Sequence, residues 1–181
     1  MRNICMALTA LLLTVLALRA GAAVVETEFG ELIELDHGFH FKVPGADWTV
    51  KTYDTTFILA GLERENSEAI ITITVFDFSI YDEVDVNYGY LKGLLEKNEK
   101  STYKLTKPNY VRVNLDKVIL STGEAARLEF TTQTVVDKRR SIVTCLNSGK
   151  VVFFVSMESR EDEFDDVLED YKALLSSIRI K

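Results

Sequence analysis

Two hydrophobic periods alternate along this chain. The stretch from Val118 onward reads VILSTGEAARLEFTTQTVV, RRSIVTCLNS and KVVFFVSMES, three runs rich in β-branched and aromatic residues. Such runs predict strands. Thr122-Gly123 and Ser148-Gly149 supply residues that tolerate positive φ, and Asp137-Lys138 can turn the chain between the other two runs. Val151 to Val155 is continuously apolar, as suits a central strand buried on both faces. Beyond it the period changes to that of a helix. Phe164, Val167, Leu168, Tyr171, Leu174, Leu175 and Ile178 fall on one stripe. Ser159 stands three residues before Asp162, a capping-box variant, and acidic residues crowd the first turns where the helix dipole favours them.

The first half carries the same two periods. Leu32 to Val43 places Ile33, Leu35, Phe39, Phe41 and Val43 on one parity, a strand or a hairpin pinched at His37-Gly38. Pro44-Gly45 is a turn, followed by Trp48. Thr56 to Glu63 and Ala69 to Phe78 read as strands joined by the polar turn 64–68. In the second, Ile71, Ile73 and Val75 face one way and Ile70 and Phe76 the other, which predicts a covering layer on both sides. Val84 to Lys100 reads as a helix with Val84, Tyr88, Leu91 and Leu95 on a stripe. A polar loop over 97–107 and a strand from Tyr110 to Leu120 follow. The expected fold is α+β, an antiparallel sheet flanked by helices in an α/β/α sandwich.

Composition narrows the class. Of 181 residues, 47% are hydrophobic, a globular value. Met1 to Ala23 has the three regions of a secretory signal: Arg2 at the start, an apolar core from Ile4 to Leu18, and the small residues Ala20-Gly21-Ala22. The expected organisation is therefore a signal peptide over 1–23 and one domain over 24–181. Formal charge is −7, and loss of Arg2 and Arg19 with the leader makes the remainder two charges more negative. That balance excludes a nucleic-acid binder and disfavours an anionic membrane surface. Only Cys145 would remain after cleavage. It lies mid-strand among apolar residues and reads as a buried, inert thiol.

Particular residues resemble a known family. Gly38-Phe39-His40-Phe41-Lys42-Val43-Pro44 followed by Trp48 resembles the "G-F-x-F-x-x-P…W" opening of the PsbP/DcrB-like family, whose fold is shared with the nuclear-import factor Mog. Val118 to Phe130, with Gly123 before Ala125-Ala126-Arg127-Leu128, looks like the central hairpin of that family. Leu174-Leu175-Ser176-Ser177-Ile178 is similar to its helix ending. The resemblance spans nearly the whole of residues 24–181. It implies an antiparallel sheet between helical layers and carries no shared catalytic set. Family members serve as lumenal subunits of photosystem II, as envelope proteins, and as the partner of a small GTPase.

Candidate chemistry is sparse. Asp36, His37 and His40 form the one cluster of metal-ligand types, but on an extended segment His37 and His40 point to opposite faces. A solvated turn histidine and a strand-edge histidine are the alternative. The run Glu161, Asp162, Glu163, Asp165, Asp166, Glu169 and Asp170 lacks the glycine and spacing of a calcium loop and reads as a solvated helix face. Lys138, Arg139 and Arg140 make a basic hairpin tip, either a charged turn or a docking point for an acidic partner. No cofactor motif is present. The expected function is that of an exported, non-enzymatic domain, periplasmic or secreted from a bacterium. It would bind or scaffold another envelope protein, with no stable membrane insertion after cleavage. Two alternatives stay open. One is a small-ligand or metal-binding module with a pocket lined by Tyr81, Tyr88, Tyr90 and Trp48. The other is a hydrolase with an unrecognised site.

Overall fold

The computed structural model describes residues 24–26, 30–34, 37–51, 53, 57–81 and 83–180. The leader, 1–23, and Asp36 lie outside the described residues. The chain runs β1 (Val24–Glu26), β2 (Glu31–Glu34), β3 (Phe39–Lys42), β4 (Trp48–Lys51), β5 (Ile58–Arg64), β6 (Ile70–Asp77) and α1 (Tyr88–Asn98). A π-helical turn, Glu99–Tyr103, and the short α2 (Lys104–Thr106) follow. Next come β7 (Val111–Leu120), β8 (Gly123–Gln133), β9 (Lys138–Ser148), β10 (Val151–Arg160), α3 (Phe164–Ser177) and β11 (Arg179–Ile180).

The large sheet has seven antiparallel strands in the order β4-β5-β6-β10-β9-β8-β7. The apolar run that opens β10 sits at its centre, and its residues divide between the two faces. Val152 and Phe154 join one core, while Phe153, Val155 and Met157 join the other. The first of these cores lies under α1, which contributes Leu91 and Leu95 above Ala126, Leu128, Val143 and Cys145. The second lies under α3, whose Phe164, Val167, Tyr171, Leu174 and Leu175 are all buried. Tyr171 is placed by chemistry as well as packing: its hydroxyl donates to the Val155 carbonyl (2.7 Å) and lies 2.8 Å from the Thr144 hydroxyl. A buried phenol needs such partners.

Three features differ from the sequence-based expectation. A second, four-stranded sheet, β1-β2-β3-β11, shares the α3 layer. Its members are two to four residues long, too short to leave a periodic signal. The hairpin turn at His37-Gly38 is present, with Gly38 at φ 64°, and from it Phe39 and Phe41 enter the core. The capping box is not formed. Ser159 lies buried within β10, its hydroxyl bonds the Arg160 carbonyl, and α3 starts after Glu163 with no side-chain cap. The 97–107 segment, expected as a loop, continues α1 through the π turn.

Candidate interaction face

The layer over the α1 side of the large sheet is incomplete. Helix α1 packs on β8 and, less extensively, β9. Strands β6 and β5 extend past it, while Val152 and Phe154 of β10 lie buried in the core beneath it. On β6 this separates the two faces sharply. Ile71, Ile73 and Val75 are buried under the α3 layer, whereas Ile70 and Phe76 on the α1 side are each 40% exposed. Among the described residues no further element lies over these two side chains, because α1 is committed to the far half of the sheet. Phe57, 60% exposed, stacks on Phe76 with centroids 5.9 Å apart, and Phe76 meets Phe154 edge-on at 5.5 Å. The aromatic surface continues beyond the end of β6, where Phe78 contacts Tyr81 (6.3 Å) and Tyr90 of α1 (5.8 Å).

Glycine shapes the far edge of this face. Gly61 on β5 pairs with Thr72 and lies beneath the Tyr53 ring. A Cβ at Gly61 would stand 2.5 Å from that ring, so the bare backbone is what lets Tyr53 lie down on the strand. Toward the opposite end is a groove of about 260 Å³ lined by Ile70, Thr72, Tyr103, Phe130, Val143 and Ser156. Its charged rim is internally matched: Lys107 donates to Glu158 at 2.7 Å.

An ion cluster with no sequence signature ties the π turn at the end of α1 to β7. Glu99, in the π turn, has a fully buried side chain. Arg112 on β7 grips both its carboxylate oxygens, the Tyr110 hydroxyl donates to it at 3.1 Å, and Lys104 stands 3.3 Å away. The Arg112 guanidinium, more than offsetting burial, holds the Glu99 carboxyl at about 2. Burial, reinforced by Glu99, raises Tyr110.

The residues singled out by sequence do not converge. His37 lies in the β2–β3 turn with its ring edge-on to Phe153 at 6.3 Å. His40 is buried on β3, its Nδ1 3.7 Å from the Glu31 carboxylate. Among the described residues, no group of three or more His, Cys, Asp or Glu side chains is arranged to hold a metal. Lys138, Arg139 and Arg140 open β9 rather than forming the tip, and each meets a carboxylate of this chain. Lys138 pairs with Glu161 (3.2 Å), Arg139 with Asp137 (2.6 Å) and Glu68, and Arg140 with Glu129, its guanidinium also lying 4.1 Å over the Phe164 ring. Burial pushes the Cys145 thiol up and leaves it unreactive. Tyr81, Tyr88, Tyr90 and Trp48 do not line one pocket. Trp48 packs in the α3-side core with its Nε1 donating to Asp170 (3.0 Å), across the sheet from Tyr88. No helix among the described residues is long and apolar enough to cross a membrane.

These layers and this strand order are those of an α+β, PsbP-like fold. The solution structure of the cyanobacterial PsbP (CyanoP) of Synechocystis sp. PCC 6803 superposes with a TM-score of 0.62 at 10% identity, over 83% of this chain and 91% of that one. LpqN, described as involved in cell envelope biogenesis of Mycobacterium tuberculosis, gives 0.53 at 12% identity over 81% and 86%. A Pseudomonas aeruginosa protein of unknown function, PA94, gives 0.51 at 10% identity over 89% and 98%. No family model and no curated protein matches the chain.

Proposed function

We propose that this chain is an exported, non-catalytic domain that binds another protein of the cell envelope through the open half of its large sheet. The observation that carries the reading is the aromatic surface of Phe57 and Phe76, exposed on the α1 side of the sheet where no second element covers it among the described residues. A contiguous apolar patch of this kind is a liability in water unless something covers it. The open strands on that side are β6 and β5, in the half of the sheet away from β8 and β7. An amphipathic helix of the partner, laid alongside α1, would complete the layer.

Two further observations support the reading. Cys145 is buried in an apolar core, and the Glu99 carboxylate is engaged by Arg112, Tyr110 and Lys104. The cations of Lys138, Arg139 and Arg140 already face carboxylates, so we assign the contact to the open face rather than to them. Export rests on the three-part leader, and the envelope setting is in keeping with LpqN. The test is co-purification with Phe57→Ser and Phe76→Ser combined. Both side chains are surface-exposed, so the double variant should melt in urea within about 1 kcal/mol of wild type. It should lose its partner. Retention of the partner by the folded variant would reject the assignment.

A further inference from the structure

The connection between β8 and β9 is not made of the residues its turn requires. Thr134 and Asp137 form the turn between them. The Thr134 N–H donates to the Asp137 carbonyl at 2.8 Å, and the Thr134 hydroxyl accepts from the N–H groups of Asp137 (3.0 Å) and Val136 (3.4 Å). Between them stand Val135 and Val136, 103% and 92% exposed. Turn tips favour Gly, Asn, Asp and Ser for reasons of backbone freedom and local hydrogen bonding. Two β-branched apolar side chains serve neither, and neither reaches a core. The fold gives no reason for them.

A second apolar element is fixed beside this tip. The Gln133 N–H donates to the Pro108 carbonyl (3.1 Å), and the Asn109 side-chain amide donates to the Gln133 carbonyl (2.8 Å). The segment so anchored carries Leu105 and Val111, both strongly exposed. One end of the molecule therefore projects Leu105, Val111, Val135 and Val136 into solvent. The charges around them are matched within the chain: Asp137 with Arg139, Lys138 with Glu161, Lys107 with Glu158.

We infer that this end docks peripherally on a zwitterionic lipid surface, with Val135 and Val136 entering the headgroup–acyl boundary. The projection is convex, its side chains are apolar, and the N–H groups of Val136 and Asp137 are satisfied from within. A turn of that kind can leave water without stranding those donors. The net charge of −7 disfavours an anionic surface, which selects the zwitterionic one.

The test uses the full chain carrying Val136→Trp, with phosphatidylcholine vesicles as the probe. Trp48 is buried and serves as an internal reference. Because the apolar leader is also present, the readout must be local to the tip. Emission from the indole introduced at position 136 should shift to the blue and be quenched by brominated phosphatidylcholine. In the Val136→Trp chain, adding Val135→Asp should raise the lipid concentration needed for half-maximal quenching at least tenfold, with an unchanged urea midpoint. An introduced indole that stays unquenched, or quenching indifferent to the aspartate, overturns the inference. So does binding that grows with added phosphatidylserine. A shift evoked by a lipid-free protein extract but not by vesicles would overturn it too, and would assign the tip to a protein partner instead.

Discussion

Glu99 is the residue on which the α1 layer turns. Its carboxylate has no exposure and three cationic or hydroxyl partners, so removing its charge leaves Arg112 facing a neutral group at the sheet edge. Breaking a buried ion pair typically costs about 3–5 kcal/mol, and the partial exposure of Arg112 moves the expectation for Glu99→Gln to about 2–4 kcal/mol. The pH dependence has a definite sign. The folded carboxyl, at about 2, lies below its unfolded value near 4.5. Its contribution is therefore complete above about 4.5 and is lost as pH falls toward about 2. The stability gap between wild type and Glu99→Gln should be widest near pH ~6 and should shrink near pH ~2.5 in paired urea melts. A gap independent of pH would show that the carboxylate charge is not what matters. Neither Glu99 nor its partners could be picked out in the sequence, because Glu96, Lys97, Asn98, Glu99 and Lys100 form an undistinguished polar run. Burial of one member depends on a helix continuing through a π turn to meet β7. Trp48 and Asp170 make the same point. Asp170 belongs to an acidic run that reads as solvated, yet it accepts the indole N–H from a strand 122 residues earlier.

At the scale of elements, legibility followed period and length. Strands β6 to β10 and both long helices have runs long enough to carry a pattern, and their alternation told which side chains face which layer. Val155 and Phe154 on opposite faces of β10 are the plainest instance. Strands β1, β4 and β11 span two to four residues and exist because neighbours pair with them, which no local pattern records. Helix α3 gives the sharpest test of packing. Leu174 is fully buried and Leu168 only partly. Leu174→Ala should cost about 2–5 kcal/mol and Leu168→Ala distinctly less. Equal losses in urea melts would mean that α3 is rotated from the position described.

For the whole molecule, the apolar residues on both faces of β6 were visible in the sequence, but their cover was not. Ile70 and Phe76 look like core until α1 is seen to be committed to β8, leaving β6 and β5 open among the described residues. That asymmetry, a sandwich with one slot unfilled, is the basis of the proposed function. It is tested most directly by site-specific photo-crosslinking in cells. A photoreactive residue at position 76 on the open face should give one discrete, saturable protein adduct. The same residue at 119, exposed on the edge strand β7 at the other side of the sheet beyond α1, should give none. Adducts at 119 and none at 76 would contradict the account.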